Sequence, residues 1–347
     1  MRAVQLVEWQ QDPQVREVPI PRPGPGQVLI KVAGAGVCHS DLHVIDWPAG
    51  TLPYRLPFTL GHETAGWVEE RGPGVEWPPV GEPVLVYGPW GCGVCHRCAQ
   101  GAENYCLRAE EFPYAGGGLG IDGGMAEYML IPSPRLLVPL GQLGLDPRTA
   151  APLTDAALTP YHAIKRSLRR LMPGSAAVVI GVGGLGHTAV QLLRALSPAT
   201  VIAVDIAPDK LQLAQRAGAH HTLSTAEDVI GGVRDLTRGQ GASLVVDCVG
   251  SDDTMATAAA IAGSESDISL VGLAGGTLPV RFGSLPWSTT VTMPYWGTRG
   301  ELFEVAELAA VGKIEIHVEM FPLDEALEVY QRLRDGLITG RAVLLPS

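Results

Sequence analysis

Residues 177–186 read Ala177-Val178-Val179-Ile180-Gly181-Val182-Gly183-Gly184-Leu185-Gly186, an apolar strand running into a glycine-spaced turn. A helix-like stretch, Thr188 to Leu196, follows that turn. A G-x-G-x-x-G pattern alone says little. Here a strand precedes it, a helix follows it, and Asp205 ends the next strand at about the 20-residue distance expected of a dinucleotide-binding βαβ unit. Gly181 permits the tight turn, Gly183 lets the backbone approach a pyrophosphate, and Gly186 allows close packing of the helix. Val182, Gly184 and Leu185 complete the loop, and N–H groups left free at the helix start suit a phosphate anion. Asp205 is expected to accept hydrogen bonds from the adenosine ribose hydroxyls. Its charge repels a 2′-phosphate, and Ile206-Ala207-Pro208 offers no arginine to neutralise one. NAD is therefore expected over NADP. A glycine-rich turn without a ligand is the bland alternative, and the βαβ context weighs against it.

On either side of this unit the chain changes character. After Pro152, apolar strands alternate with helical stretches: 177–180, 188–196, 201–204, 211–217, 244–246 and 268–271, with a closing strand at 290–293. That alternation indicates a parallel sheet covered on both faces. Before about Ala150, short β-like runs such as 28–32, 64–68 and 83–87 alternate with Gly/Pro turns, and helix-length periodicity is scarce. A mainly β, barrel-like domain is the expectation there. An amphipathic stretch near Leu302 to Ala310 is read as a return to that first domain.

At 347 residues the chain has room for two domains. A hydrophobic fraction of 46% with 18% charged residues suits a globular enzyme. The net charge of −11 and the lack of any basic block exclude nucleic acid as the main partner. No run of about 18 apolar residues marks a membrane span, and the N-terminus, opening on a β-like run, has no secretory h-region. A cytoplasmic location is expected. Asn104 is the only asparagine and the 28 prolines are scattered through loops. That bias fits a heat-stable protein, although a GC-rich genome produces much the same bias.

Four of six cysteines fall at Cys92, Cys95, Cys98 and Cys106, spaced C-x2-C-x2-C-x7-C. In a long cytosolic chain such crowding points to metal rather than disulfides. Four thiolates close a tetrahedron around zinc. An iron–sulfur cluster is the chemical rival, though the last gap does not match the short ferredoxin spacing and no second cluster motif occurs. A second constellation is dispersed: Cys38-His39-Ser40-Asp41 and Gly61-His62-Glu63. Thiolate and imidazole together suit zinc, yet each residue alone reads equally as packing.

Taken jointly, these pieces resemble the zinc-containing medium-chain alcohol dehydrogenases over essentially the whole chain. The matching residues are Gly36 to Asp41, Leu60 to Glu63, the four-cysteine lobe, Pro152 to Asp155, Leu158 to His162, and Gly181 to Gly186. Within the family the chain is similar to bacterial NAD-dependent secondary-alcohol dehydrogenases. The resemblance implies an α/β fold: a GroES-like β-rich catalytic domain plus a Rossmann domain with a doubly wound parallel sheet, and a cleft between them. The expected boundaries are 1–155 for the catalytic domain, with a structural zinc lobe at about 90–108, 156–293 for the Rossmann domain, and 294–347 for the return.

It further implies two zinc ions per chain and NAD. Cys38, His62 and Asp155 hold the catalytic zinc, with aspartate standing where other members carry cysteine. Glu63 lies beside the metal, and Asp41 fixes the tautomer of His62. Ser40 takes the alcohol proton and passes it through the cofactor ribose to His43. Alternatively, His43 only lines the cleft, as an apolar residue does in many relatives. His39 helps hold the pyrophosphate. Thr159, Lys210, Val249, Val271, Gly272, Leu273, Trp296 and Arg341 are implied at the cofactor, with Trp296 near nicotinamide and Arg341 near phosphate. Trp47, Tyr54, Leu119, Tyr295 and Trp296 are candidate walls of a pocket for a small alcohol or ketone. A homo-oligomer, dimer or tetramer, is expected. The rival activities are a zinc-free quinone or enone reductase, or a polyol or aldehyde dehydrogenase, on the same fold. A rival of another class is a non-catalytic zinc protein that senses NAD, which has no need of Ser40, Glu63 or an open metal position.

Overall fold

The structure is a computed structural model that describes residues 1–346. The chain divides into two compact units. One comprises Met1–Asp155, Gly297–Val311 and the chain from Ile316 onward; the other comprises Ala156–Trp296 and Gly312–Glu315.

The second unit is built around the strand Ala176–Ile180, whose five residues are all buried. It pairs in parallel with Thr200–Asp205 on one side and Ala242–Asp247 on the other, so both faces and both edges are covered. That explains its unbroken apolar run. The six parallel strands run in the order His221–Ser224, Thr200–Asp205, Ala176–Ile180, Ala242–Asp247, Ala262–Leu270, Thr290–Thr292. The order reverses at Ala176–Ile180, which in doubly wound sheets creates the crevice where dinucleotides bind. Val178, Ile180, Ile202, Val204, Val245 and Ile268 from the sheet pack with Val233, Met255 and Ala258 from covering helices.

The first unit is mainly β. Its larger sheet follows the order Leu137–Pro139, Pro83–Val86, Glu63–Arg71, Val28–Val37, Arg341–Leu345, Val318–Pro322, with Tyr128–Ile131 paired to the first half of Val28–Val37. Two features depart from the sequence reading. In the stretch where helix-length periodicity was scarce, His39–Asp46 forms a helix for which Cys38 is the N-cap. Its start is tied by the Asp41 carboxylate, whose Oδ2 accepts from the Cys38 N–H at 2.9 Å. The C-terminal region is also more structured than a single amphipathic stretch. It supplies the helices Arg299–Ala310 and Ala326–Arg334 and two strands of the larger sheet. Among the described residues no helix is long and apolar enough to cross a membrane.

Candidate active site

The ends of two strands and a short 3-10 turn assemble the first cluster. Val28–Val37 ends one residue before Cys38, and Glu63 opens the neighbouring strand, its Cα facing Gly36. The 3-10 turn Ala151–Thr154 delivers Asp155 as its C-cap. Cys38, His62, Glu63 and Asp155 are all buried, and one donor atom of each lies within 4.8 Å of the others. Asp155 Oδ2 is 3.9 Å from Cys38 Sγ and 3.6 Å from His62 Nε2. Around a tetrahedral zinc such edges are about 3.3–3.6 Å, so little contraction closes the set on the ion.

The neighbours of this cluster orient its donors. His62 Nδ1 is 3.0 Å from Asp41 Oδ1, which assigns the proton to Nδ1 and leaves Nε2 facing Asp155. Burial alone lowers the His62 pKa, but the charge of Asp41 and hydrogen bonds to Asp155, Asp41 and Cys38 hold it well above its ordinary value. The second ring proton would sit on Nε2, the position a metal ion would take instead. Glu63 is fully enclosed, and burial pushes its carboxyl up to about 7 against the opposing charge and hydrogen bonds of Arg341.

Arg341, which the sequence reading expected near a cofactor phosphate, has protein partners in the first cluster. Its guanidinium is buried, with Nε 2.9 and 3.1 Å from the two Glu63 oxygens, and NH2 also bonded to Glu63 and 3.6 Å from Asp155 Oδ2. Strand pairing is the cause: Ala342 lies opposite Val37, so Arg341 arrives beside Cys38 and Glu63. Two residues were given no role in the sequence reading. Gly36 leaves the room Glu63 needs, since a Cβ there lies 1.9 Å from Glu63 Oε2. Its place in the Gly36-Val37-Cys38 run was the available signal. Tyr330, from the helix Ala326–Arg334, is buried with its hydroxyl 3.2 Å from Met125 Sδ. Burial and the adjacent Asp41 charge push its phenol well above the usual range. No local sequence pattern marks it.

Other expected residues of this unit lie nearby. Ser40 Oγ is 3.5 Å from Cys38 Sγ. His43 is half-buried, its Nδ1 has no hydrogen-bond partner among the described residues, and its ring stacks on Trp47 at 6.4 Å. Gly118, next to Leu119, lies against the Gly61–His62 backbone, and Tyr54 lies against Gly120. Leu119 and Tyr54 are thus brought to the His62 side of the unit. His39, by contrast, is exposed.

The four-cysteine lobe is the second cluster. All four Sγ atoms lie within 4.8 Å of one another, with Cys95–Cys98 at 3.5 Å and Cys92–Cys98 at 3.9 Å. A regular tetrahedron with Zn–S of about 2.3 Å has edges of about 3.8 Å. A cluster of several irons holds its thiolates farther apart, so the geometry favours one ion. Backbone N–H groups of Cys92, Cys95 and Arg108 point at sulfur atoms at 3.3, 3.3 and 3.4 Å, as thiolates require. Such bonds, from Cys98 and Leu107, pull the Cys95 thiol down to about 6, whereas burial pushes Cys98 up to about 12.

In the second unit the glycine loop has the shape a dinucleotide needs. Gly181 has φ +83°, and a Cβ there meets Val249 at 2.5 Å; one on Gly186 lies 1.9 Å from the Gly181 carbonyl oxygen. Nothing lies within 4 Å of the Cβ position of Gly183, which leaves that face open to a ligand. Asp205 accepts from the Val182 N–H at 2.6 Å and the Ala207 N–H at 2.9 Å, so the acid sits on the glycine turn. Thr159 and Lys210 are buried in the helices Leu158–Ser167 and Pro208–Arg216. Val249, Val271 and Gly272 are half-buried at strand ends, whereas Leu273 is exposed. Trp296 is buried and Tyr295 partly exposed, their rings edge-to-face at 6.0 Å. Burial and the Asp247 charge raise the pKa of Cys248.

Comparison with known proteins agrees with both units. Residues 24–142 match the alcohol dehydrogenase GroES-like domain, and residues 184–310 match the zinc-binding dehydrogenase domain. An NAD-dependent alcohol dehydrogenase of Sulfurisphaera tokodaii is 35% identical, with 100% of each chain covered. The chain belongs to the zinc-dependent medium-chain alcohol dehydrogenase family. The crystal structure of the alcohol dehydrogenase of the hyperthermophilic archaeon Aeropyrum pernix superposes with a TM-score of 0.91 at 37% identity, covering 100% of both chains. A D-arabinose 1-dehydrogenase (NADP(+)) of Saccharolobus solfataricus is 33% identical over 99% of this chain and 97% of its own. The family therefore spans more than one substrate class and both nicotinamide cofactors.

Proposed function

We infer that this protein is an NAD-dependent alcohol dehydrogenase that uses two zinc ions and oxidises alcohols, secondary ones in preference, to ketones or aldehydes in a reversible reaction. The observation that carries this reading is the buried convergence of Cys38, His62 and Asp155, with Glu63 beside them, in a chain whose other unit presents Gly181 to Gly186 and Asp205. Zinc held by Cys38, His62 and Asp155 supplies Lewis acidity toward the alcohol oxygen. Bound NAD supplies the hydride acceptor.

The chain's own groups do the rest. Asp41 keeps the His62 ring oriented. Arg341 holds Glu63 beside the ligands as a group able to exchange with them. Ser40 takes the alcohol proton as its own hydroxyl proton passes through the cofactor ribose hydroxyl to His43, whose Nδ1 has no hydrogen-bond partner among the described residues. Asp205 selects the unphosphorylated ribose. Cys92, Cys95, Cys98 and Cys106 hold the structural ion. Trp47, Tyr54 and Leu119 are apolar wall candidates, which favours alkyl or aryl groups over polyhydroxylated sugars.

We also assign a homo-oligomer and a cytoplasmic location. Phe282 is 89% and Met293 79% exposed, with Val280 and Trp287 also open, beside the edge strand Thr290–Thr292. An apolar edge of this kind is covered by pairing with a second copy. All six cysteines are free of disulfides, as a reducing compartment requires.

The deciding assay follows NADH formation across 2-butanol, 1-phenylethanol, ethanol and D-arabinose, with NAD and NADP in parallel. Secondary alcohols with NAD are expected to give the highest kcat/KM. Ethanol outperforming 2-butanol, or arabinose outperforming both, overturns the substrate reading.

A further inference from the structure

Asp247 is wholly buried at the C-terminal end of Ala242–Asp247, a strand that neighbours Ala176–Ile180 and the glycine turn. Its side chain is spent locally. Oδ1 accepts from the Val249 N–H at 2.9 Å and the Gly250 N–H at 3.0 Å. Its main-chain carbonyl accepts from the Val271 and Gly272 N–H groups at 2.8 and 3.0 Å. One residue therefore gathers four amides from two separate strand-end loops. The loops are also laced together, because the Ala274 N–H reaches the Val249 carbonyl at 3.1 Å and the Gly276 N–H reaches the Gly250 carbonyl at 2.9 Å. The contact is close enough that a Cβ on Gly272 lies 2.1 Å from the Val249 carbonyl carbon. Val249 in turn packs over Gly181, whose Cβ position is 2.5 Å from its Cγ2.

The second carboxylate oxygen, Oδ2, is buried without a hydrogen-bond partner among the described residues. Burying a half-satisfied carboxylate costs stability, and a simple loop anchor has no need of it. Buried groups left in that condition cluster where shape is required for function.

We propose that Asp247 is a positioning residue for the cofactor: its carboxylate and carbonyl hold the Val249–Gly250 and Val271–Gly272 loops at the spacing that admits the dinucleotide beside Gly181. This inference rests on the NAD assignment above. Asp247 itself need not touch the cofactor. It acts through Val249 and the two loop backbones.

The test compares wild type, Asp247→Leu and Asp247→Asn by NADH fluorescence titration and by KM for NAD and for alcohol. Leucine matches the shape and removes both acceptor bonds; asparagine keeps the Oδ1 acceptor. Asp247→Leu is expected to raise the NADH Kd roughly tenfold or more, with KM for alcohol at saturating NAD little changed, and Asp247→Asn to restore Kd to within about threefold. A leucine variant that binds NADH as wild type does overturns the proposal, as does an asparagine variant as weak as leucine. Should the leucine variant fail to fold, hydrogen exchange on the wild-type protein decides. Added NADH must protect the Val249, Gly250, Val271 and Gly272 amides more than those of His221–Ser224, and equal protection overturns the idea. Wild type that binds no NADH refutes the NAD assignment itself, a separate outcome.

Discussion

The guanidinium of Arg341 closes on the carboxylate of Glu63 through Nε at 2.9 and 3.1 Å, both groups buried and 278 residues apart in sequence. Removing one partner of such a pair leaves a buried charge unmatched, which typically costs about 3–5 kcal/mol. Arg341→Leu is therefore expected to lower the unfolding free energy by that order, seen as a fall in the denaturant midpoint. Arg341→Lys, which keeps charge without the fork, is expected to fall between. Chemical denaturation of the zinc-loaded protein checks this, and a leucine variant as stable as wild type refutes it.

Two ligand clusters imply two metal ions with different duties. Cys38→Ala is expected to abolish turnover, lose one zinc per chain and leave the fold intact. Cys95→Ala is expected to lower thermal stability sharply, because a structural ion contributes folding energy directly. Metal analysis with a melting curve on each variant distinguishes them. One zinc per wild-type chain, or iron, contradicts the assignment.

Asp205 carries the choice of cofactor. Asp205→Gly removes both the acceptor for ribose hydroxyls and the charge that repels a 2′-phosphate. Hydrogen bonds to a charged group are worth about 1.5–3 kcal/mol, so kcat/KM with NAD is expected to drop roughly tenfold to a hundredfold. Discrimination against NADP relaxes at the same time. Equal wild-type efficiency with both cofactors shows the reading to be mistaken.

Burial lowers the His43 pKa from its usual value of 6.5, partly countered by the charge of Asp46. The sign follows from proton uptake: the unfolded chain protonates this histidine at higher pH than the folded chain does. The folded state is therefore penalised as pH falls below 6.5 toward the depressed value, and is unaffected above it. His43→Phe is expected to flatten this part of the stability–pH curve, below about pH 6.5. In turnover, His43→Phe is expected to slow alcohol oxidation most at low pH, with partial rescue by added imidazole. An unchanged pH–rate profile makes His43 a wall residue only.

The features legible in the sequence are those written over short spans. The glycine turn has its strand, helix and acid within one βαβ unit, and the lobe cysteines lie between residues 92 and 106, so spacing alone carries their chemistry. The parallel sheet was legible too, since strands buried on both faces must be continuously apolar. The dispersed cluster was of another kind. Cys38 and Asp155 stand 117 residues apart, and nothing in either neighbourhood points to the other. Family resemblance linked them, and the pairing of Val28–Val37 with Glu63–Arg71 places Cys38 beside Glu63. The pairing of Arg341 with Glu63 was not legible, because it depends on the strand register that sets Ala342 opposite Val37. The helix His39–Asp46 escaped notice because it is short and starts on a cap made by the Asp41 carboxylate. Local chemistry is encoded by spacing. Which buried charge faces which depends on register and packing between segments distant in the chain, and that only the tertiary structure decided.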